Sequence, residues 1–176
     1  MELVIAGFIV FIAAIVLVQS SGFFVRRWAR RKGMQFQALH WVRTWAERGR
    51  VDDLSQLMLP GGDLAGVDLG ATPEMPQGAN LSHSNLRGAD LRSAILRRAV
   101  LHAADLRRSR LRGADLQEAD LREADLRGAD LTSADLRGAD LSNARVQGAN
   151  FWMAAYDRRT RWPQERPPRE AIRMEE

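Results

Sequence analysis

The chain has 176 residues, 26 Lys and Arg against 22 Asp and Glu, and no cysteine. At about 150 residues per domain, this leaves room for one compact domain with an appendage and excludes two large ones. Without cysteine there can be no disulfide staple, thiolate metal site or cysteine nucleophile, so burial and backbone pairing must hold the fold.

The formal charge of +4 is nearly all arginine chemistry, because Lys32 is the only lysine, and the excess sits towards the N-terminus. From Leu3 to Val25 the chain runs 23 residues without a charge. About 20 apolar residues in a helix cross the hydrocarbon core of a bilayer, so residues 1–25 are expected to form a transmembrane signal-anchor helix. A cleaved signal peptide would carry its basic residues before the apolar run and a small-x-small site after it. Here only Met1 and Glu2 precede the run, while Arg26, Arg27, Arg30, Arg31 and Lys32 follow it. Lys- and Arg-rich flanks stay in the cytoplasm. The expected topology is therefore a single pass through the cell inner membrane, with the N-terminus outside and the bulk of the chain cytoplasmic.

Residues 26–50 read as a basic juxtamembrane amphipathic helix. Over 34–48, Ala38, Trp41 and Trp45 fall at helical spacing with Leu39, Val42 and Ala46 alongside, and Gly49 suits a C-terminal stop. Two places fit such a helix. With Arg26, Arg27, Trp28, Arg30, Arg31, Lys32, Trp41 and Trp45 at headgroup level it would lie in the membrane interface. Its apolar face would equally cover an open end of the domain that follows.

Residues 51–78 form a lead-in and N-terminal cap. Leu64 and Leu69 stand five apart but out of step with the later pattern, and Thr72-Pro73-Glu74-Met75-Pro76 interrupts them. Asp63–Leu69 is expected to be a partial coil joined on by a proline loop.

From residue 79 to 156 an apolar centre recurs every fifth residue, from Leu81 through Leu141 to Val146 and Phe151, fifteen in register. Two positions before each centre stands Ala, except at Ser84 and Ser109. A period of five suits neither standard element. Five helical steps turn about 140° and would wind the leucines around every side, and five strand steps flip the face each time. The chain must therefore turn once per repeat. Ala and its centre, two apart in extended backbone, share the inner face, and corners of about 90° would close a square coil of twenty residues. Coils stacked about 4.8 Å apart through parallel ladder bonds place residue n over n+20. Residues 79–156 then make just under four coils.

Ala79-Asn80-Leu81, Ala89-Asp90-Leu91 and Ala114-Asp115-Leu116 through Ala139-Asp140-Leu141 are similar to the Ala-(Asp/Asn)-Leu-x-x signature of the pentapeptide-repeat proteins. Tyr156-Asp157-Arg158-Arg159-Thr160-Arg161-Trp162-Pro163 resembles a segment that often follows such repeats in bacterial members. The resemblance implies an all-β solenoid, a right-handed quadrilateral parallel β-helix. Residues 157–176 would be its C-terminal cap and polar tail, with Phe151, Trp152, Met153, Tyr156 and Trp162 closing that end.

The outer surface is expected to carry paired charges: Asp90/Arg92, Asp105/Arg107, Asp120/Arg122, Asp125/Arg127 and Asp135/Arg137. Arg87, Arg107 and Arg127 stack in one column, but the acids beside them favour a solvated face over a phosphate ladder. Glycines at the corners, Gly88, Gly113, Gly128, Gly138 and Gly148, serve turn conformation. His40, His83 and His102 match no catalytic pattern and read as surface residues. No catalytic constellation, cofactor site or metal site is expected, and the nine-residue period of calcium-binding β-helices is absent.

Thirteen of the fifteen residues preceding a centre are polar, and the exceptions are Ile95 and Val100, in consecutive repeats. Neighbouring exposed apolar side chains mark a contact site, so Ile95, Val100, Arg97 and Arg98 are candidate partner contacts, unless residues 51–78 cover them. The expected function is a non-enzymatic, membrane-anchored scaffold for protein–protein interaction at the cytoplasmic membrane face, with an unidentified protein partner and no small-molecule substrate. Some pentapeptide-repeat proteins bind topoisomerases by mimicking DNA with an acidic surface. With 12 Arg against 10 acids over the repeats, that reading is disfavoured here. A basic module for anionic lipid or nucleic acid is the other alternative, with nucleic acid the weaker of its two ligands.

Overall fold

The computed structural model describes residues 54, 59–71, 76–163 and 167–174. The expected transmembrane helix and amphipathic helix lie outside the described residues. Among the described residues, no helix is long and apolar enough to cross a membrane.

Each repeat makes the predicted corner. The N–H two residues before a centre donates to the carbonyl of the preceding centre, as from Ala89 to Leu86 at 3.0 Å, closing a four-residue turn. Such a turn with φ > 0 at its third residue is the type II pattern, which favours Gly there. Glycine supplies this at Gly88, Gly113, Gly128, Gly138 and Gly148, but ten residues with side chains, from His83 (φ 55°) to Met153 (φ 56°), take the same conformation. The periodic core therefore imposes a left-handed corner on residues that disfavour it.

Parallel bridges keep the predicted twenty-residue offset from Asn80↔Val100 to Asp135↔Ala155. Ladder bonds tie each coil to the next, as in Leu96 N–H to the Asp115 carbonyl at 2.7 Å and Asp115 N–H to Ala94 at 3.0 Å. All the repeat leucines from Leu81 to Leu141 are fully buried, with the alanines between them. The side chain that replaces Ala at Ser109 donates to the Leu106 carbonyl at 2.7 Å, whereas the buried Ser84 hydroxyl has no partner. Ser84→Ala is therefore expected to raise stability by about 1 kcal/mol and Ser109→Ala to bring no such gain. Thermal melts of the two variants side by side would check this.

The offset fails at both ends, and each failure has a cause. Asp63 pairs with Asp90 and Asp68 with Ile95, 27 residues on. Seven extra residues stand between Leu69 and Ala79, yet Ala79 N–H still donates to the Leu69 carbonyl at 2.8 Å. The proline-containing segment is thus an insertion within one corner. The expected partial coil is also longer than Asp63–Leu69. Leu54 and Leu59 are buried with Leu64 and Leu69, and their N–H groups donate to Asn80 and Asn85. Four further centres, Leu54, Leu59, Leu64 and Leu69, thus stack ahead of the just under four coils that the repeat count predicted.

At the other end Asp140 pairs with Arg161, an offset of 21. Phe151, Tyr156 and Trp162 close this end, with Trp162 edge-on to both at 5.4 and 5.6 Å. Trp152 and Met153, expected to help, are 57% and 51% exposed. They sit at the first and second positions after a centre, where the corner points outward. Strand β1 (Ala155–Tyr156) is joined there by a parallel strand β2 (Ile172–Arg173) from the tail.

Candidate interaction surface

The five expected charge pairs all form. Arg92, Arg107, Arg122, Arg127 and Arg137 each reach back two residues to Asp90, Asp105, Asp120, Asp125 and Asp135, at 2.7, 2.5, 2.6, 2.6 and 2.6 Å. In each pair Nε also bonds the same carboxylate, as in Arg122 to Asp120 at 2.8 Å. The same aspartates accept the arginine's backbone N–H, for example Arg122 N–H at 3.1 Å, so one side chain both braces the corner and holds the cation. The hydrogen-bonded guanidinium keeps the carboxyls of Asp90, Asp105, Asp120 and Asp125 below the usual range. Five of the outward aspartates are thus neutralised by arginines of their own repeats, while Asp115, Asp130 and Asp140 have Gln117, Thr132 and Ser142 at the corresponding position.

The surface pattern breaks at one corner. The insertion leaves Leu69 and returns at Gly78 directly over the peptides of Arg97–Ala99. Ala71 N–H donates to the Arg97 carbonyl at 2.9 Å and Gly78 N–H to the Arg98 carbonyl at 3.1 Å. A Cβ on Gly78 would lie 2.6 Å from the Arg97 oxygen and 2.9 Å from the Ala99 nitrogen, so only glycine admits this approach.

Ile95 and Val100 flank that seat. Ile95, 39% exposed, lies between Asp68 and Asp115, and its Cγ2 would be 3.0 Å from a Cβ on Gly70. Val100 is half-buried on the adjoining face. It lines a shallow groove of about 1050 Å³ with Pro76, Gln77, His83, Arg98, His102, Asp120 and Arg122 among its other walls. The structure thus brings Val100 and Arg98 together and places Ile95 and Arg97 around the corner from them.

Both arginines lean onto the next coil. Arg97 donates to Gln117 Oε1 at 3.0 Å and approaches Asp115 at 3.8 Å, and Arg98 approaches Glu118 at 3.5 Å, with about half of each arginine side chain exposed. The insertion accounts for part of the apolar surface and leaves the rest open.

Two groove residues were not foreseen. His83 and His102 meet edge-to-face at 5.6 Å, and His102 Nδ1 is buried without a hydrogen-bond partner. Stacking by one coil was the signal that could have paired them, since they lie 19 residues apart. The membrane-interface candidates Arg26, Arg27, Trp28, Arg30, Arg31, Lys32, Trp41 and Trp45 lie outside the described residues. Among the described residues, no group of three or more His, Asp or Glu is arranged to hold a metal ion.

A β-helix with a filled interior leaves only its faces and corners open to other molecules. A family model for pentapeptide repeats matches residues 77–113 and 114–152, with eight copies. The heterocyst differentiation regulation protein HetL of Nostoc sp. strain PCC 7120 is 35% identical over 56% of this chain and 46% of its own, with a TM-score of 0.44. This chain thus aligns with less than half of HetL's length. A second pentapeptide repeat protein of Nostoc PCC 7120 is 34% identical over 73% of this chain and 87% of its own, with a TM-score of 0.41. QnrB1, a plasmid-mediated fluoroquinolone resistance protein, is 16% identical over 69% of this chain and 79% of its own, with a TM-score of 0.32. No curated protein matches. The chain belongs to the pentapeptide-repeat family, whose members fold as right-handed quadrilateral β-helices and generally act as structural or interaction proteins.

Proposed function

We propose that the chain is a membrane-anchored, non-enzymatic scaffold whose β-helix holds a partner protein at the cytoplasmic face of the inner membrane. The observation that carries the binding role is the break at the Arg97–Ala99 corner. There Ile95 and Val100 interrupt otherwise polar rows of outward residues beside a shallow groove. A groove this open suits a protein segment better than a small molecule, which is normally enclosed on most of its surface. The anchor is supported by the 23-residue uncharged run and the cations after it. DNA mimicry has less support, because five of the outward aspartates are each matched by an arginine of their own repeat.

The full-length protein is expected to stay in membranes through a carbonate wash, with a C-terminal reporter active in the cytoplasm. The proteins that co-purify from detergent extracts should be lost when Ile95→Gln and Arg98→Gln are combined. Both sites are exposed, so melting should change by under about 1 kcal/mol. Release from the membrane by carbonate would remove the anchor from the proposal. An unchanged set of co-purifying proteins would remove the corner.

A further inference from the structure

We propose that the side of the rod opposite the groove lies against an anionic phospholipid surface, which leaves the groove facing away from the bilayer. This rests on the membrane-anchored reading above, which brings the rod within reach of a bilayer. Twenty residues make one coil, so residues ten apart fall on opposite sides. Asp63, Asp90, Arg110, Asp130 and Asn150 stack in one column, and Val100, which lines the groove, stands half a coil from Asp90. That column and its two corners comprise residues 87–93, 107–113, 127–133 and 147–153. Of the 12 Arg and 10 acids of the repeats, seven Arg and two acids fall there, leaving five and eight for the other three sides. Asp63, ahead of the repeats, adds a third acid to the column. The near balance of the whole chain therefore hides one basic side on an otherwise acidic rod.

The cations of this side are also the available ones. Arg87, Arg108 and Arg112 are exposed, and their side chains make no ion pair or hydrogen bond among the described residues. Arg110 comes only within 3.8 Å of Asp90. On the groove side, by contrast, Arg98 and Arg122 are engaged by Glu118 and Asp120. The N–H groups of Ser93, Gly113 and Ser133 donate to the carbonyls of Arg112, Thr132 and Trp152, which stacks Arg92, Arg112, Thr132 and Trp152 down one edge. Trp152 and Met153, both more than half exposed, end that row. Tryptophan beside unpaired cations is the chemistry of the headgroup layer, where the ring sits at the interface and the arginines meet anionic lipid. Nucleic acid is matched less well, because a flat β-helix side offers no helix or ribbon to enter a groove.

The chain has no cysteine, so a single fluorophore can be placed at Ser133→Cys, on the edge of the basic side, or at Asn143→Cys, half a coil away. Both residues are exposed. The full-length protein would be reconstituted into vesicles holding a headgroup-nitroxide lipid, in phosphatidylcholine alone or with about one third anionic phosphatidylglycerol. In the anionic vesicles the label at 133 should be quenched at least about threefold more than the label at 143, because the surface attraction falls off within a Debye length. The difference should vanish in neutral vesicles, at about 0.5 M salt, and when Arg87→Gln, Arg108→Gln and Arg112→Gln are combined, with melting unchanged. Equal quenching at the two positions, or a difference indifferent to lipid charge or to the three arginines, would overturn the proposal. Capture of a DNA duplex by the parent in neutral vesicles, lost in the triple variant and without lipid-dependent quenching, would also overturn it, since that gives the side to nucleic acid. The anchor is read separately: release by carbonate with the quenching difference intact removes the anchor and keeps this side.

Discussion

Leu116→Asp is expected to unfold the rod under ordinary conditions, at a cost of about 5 kcal/mol, whereas Arg112→Gln should melt within about 0.5 kcal/mol of the parent. Leu116 is fully buried, as are Leu96 and Leu136, which share its face one coil before and one coil after. A carboxylate there would find no donor, because the nearby interior is Leu and Ala. It must either stay charged in a dry core or take up a proton, and both cost free energy. Coils touch only their neighbours, so a defect in the middle of the stack uncouples the two halves rather than fraying one end. Arg112 is exposed and makes no side-chain bond among the described residues. Gln117 would be a poor control, since its amide links Arg97 above to Asp135 below, at 3.0 and 2.9 Å. Chemical denaturation of both variants is the measurement, and coincident curves would show that the centres do not point inward.

What the sequence made legible is what the five-residue period controls. The period placed every centre from Leu81 to Leu141 inside, predicted the stacking offset, and foresaw the five Asp-x-Arg pairs. It became silent where the register slips. Leu54 and Leu59 have the right spacing with Leu64 and Leu69, but the positions two before these four centres hold Asp52, Leu57, Gly62 and Val67 in place of Ala. The seven-residue insertion then shifts them out of phase. Only the backbone shows that the insertion is absorbed within one corner, because the Ala79 to Leu69 hydrogen bond survives it. The candidate surface was half legible for the same reason. Ile95 and Val100 stood out as pattern breaks, but their relation to Gly70 and Gly78 depends on where an irregular segment lands, which no period encodes. His83 and His102 needed the stacking rule applied to side chains beyond the leucines.

The second large effect is expected at Asp157, where a one-residue slip is repaired by a side chain. In the regular coils the N–H of the second residue after a centre donates to a carbonyl of the next coil, as from Glu118 to Arg137 at 2.9 Å. At Gly138 the corresponding N–H goes instead to the carboxylate of Asp157, at 2.9 Å. The same Oδ1 accepts the N–H groups of Arg159 and Thr160, each at 3.0 Å, and Oδ2 holds the Arg159 guanidinium at 3.0 Å. The side chain is 1% exposed. Burial pushes its carboxyl up, but the bonds from Gly138, Arg159 and Thr160 outweigh burial and hold the pKa at about 2. Asp157→Ala would take the acceptor from Gly138 N–H, remove one of two acceptors of Thr160 N–H and release the Arg159 backbone and guanidinium from the carboxylate, and should cost about 3 kcal/mol. The pH dependence follows from the same shift. With a folded pKa of about 2 against 3.8, the charged form's contribution, about 2 kcal/mol, is full above the unfolded value and lost as pH falls through the folded one. Asp157→Asn keeps an acceptor but has no proton to take up, so it should be less stable than the parent at neutral pH and should lose less stability on acidification. Urea titrations at about pH 7, 4 and 2.5 measure this, because subtracting the variant from the parent removes the common contribution of the exposed Asp–Arg pairs. If the Asn variant fell as steeply as the parent between pH 4 and 2.5, the acid sensitivity of the rod would lie in those surface pairs and not in the buried carboxylate at its C-terminal end.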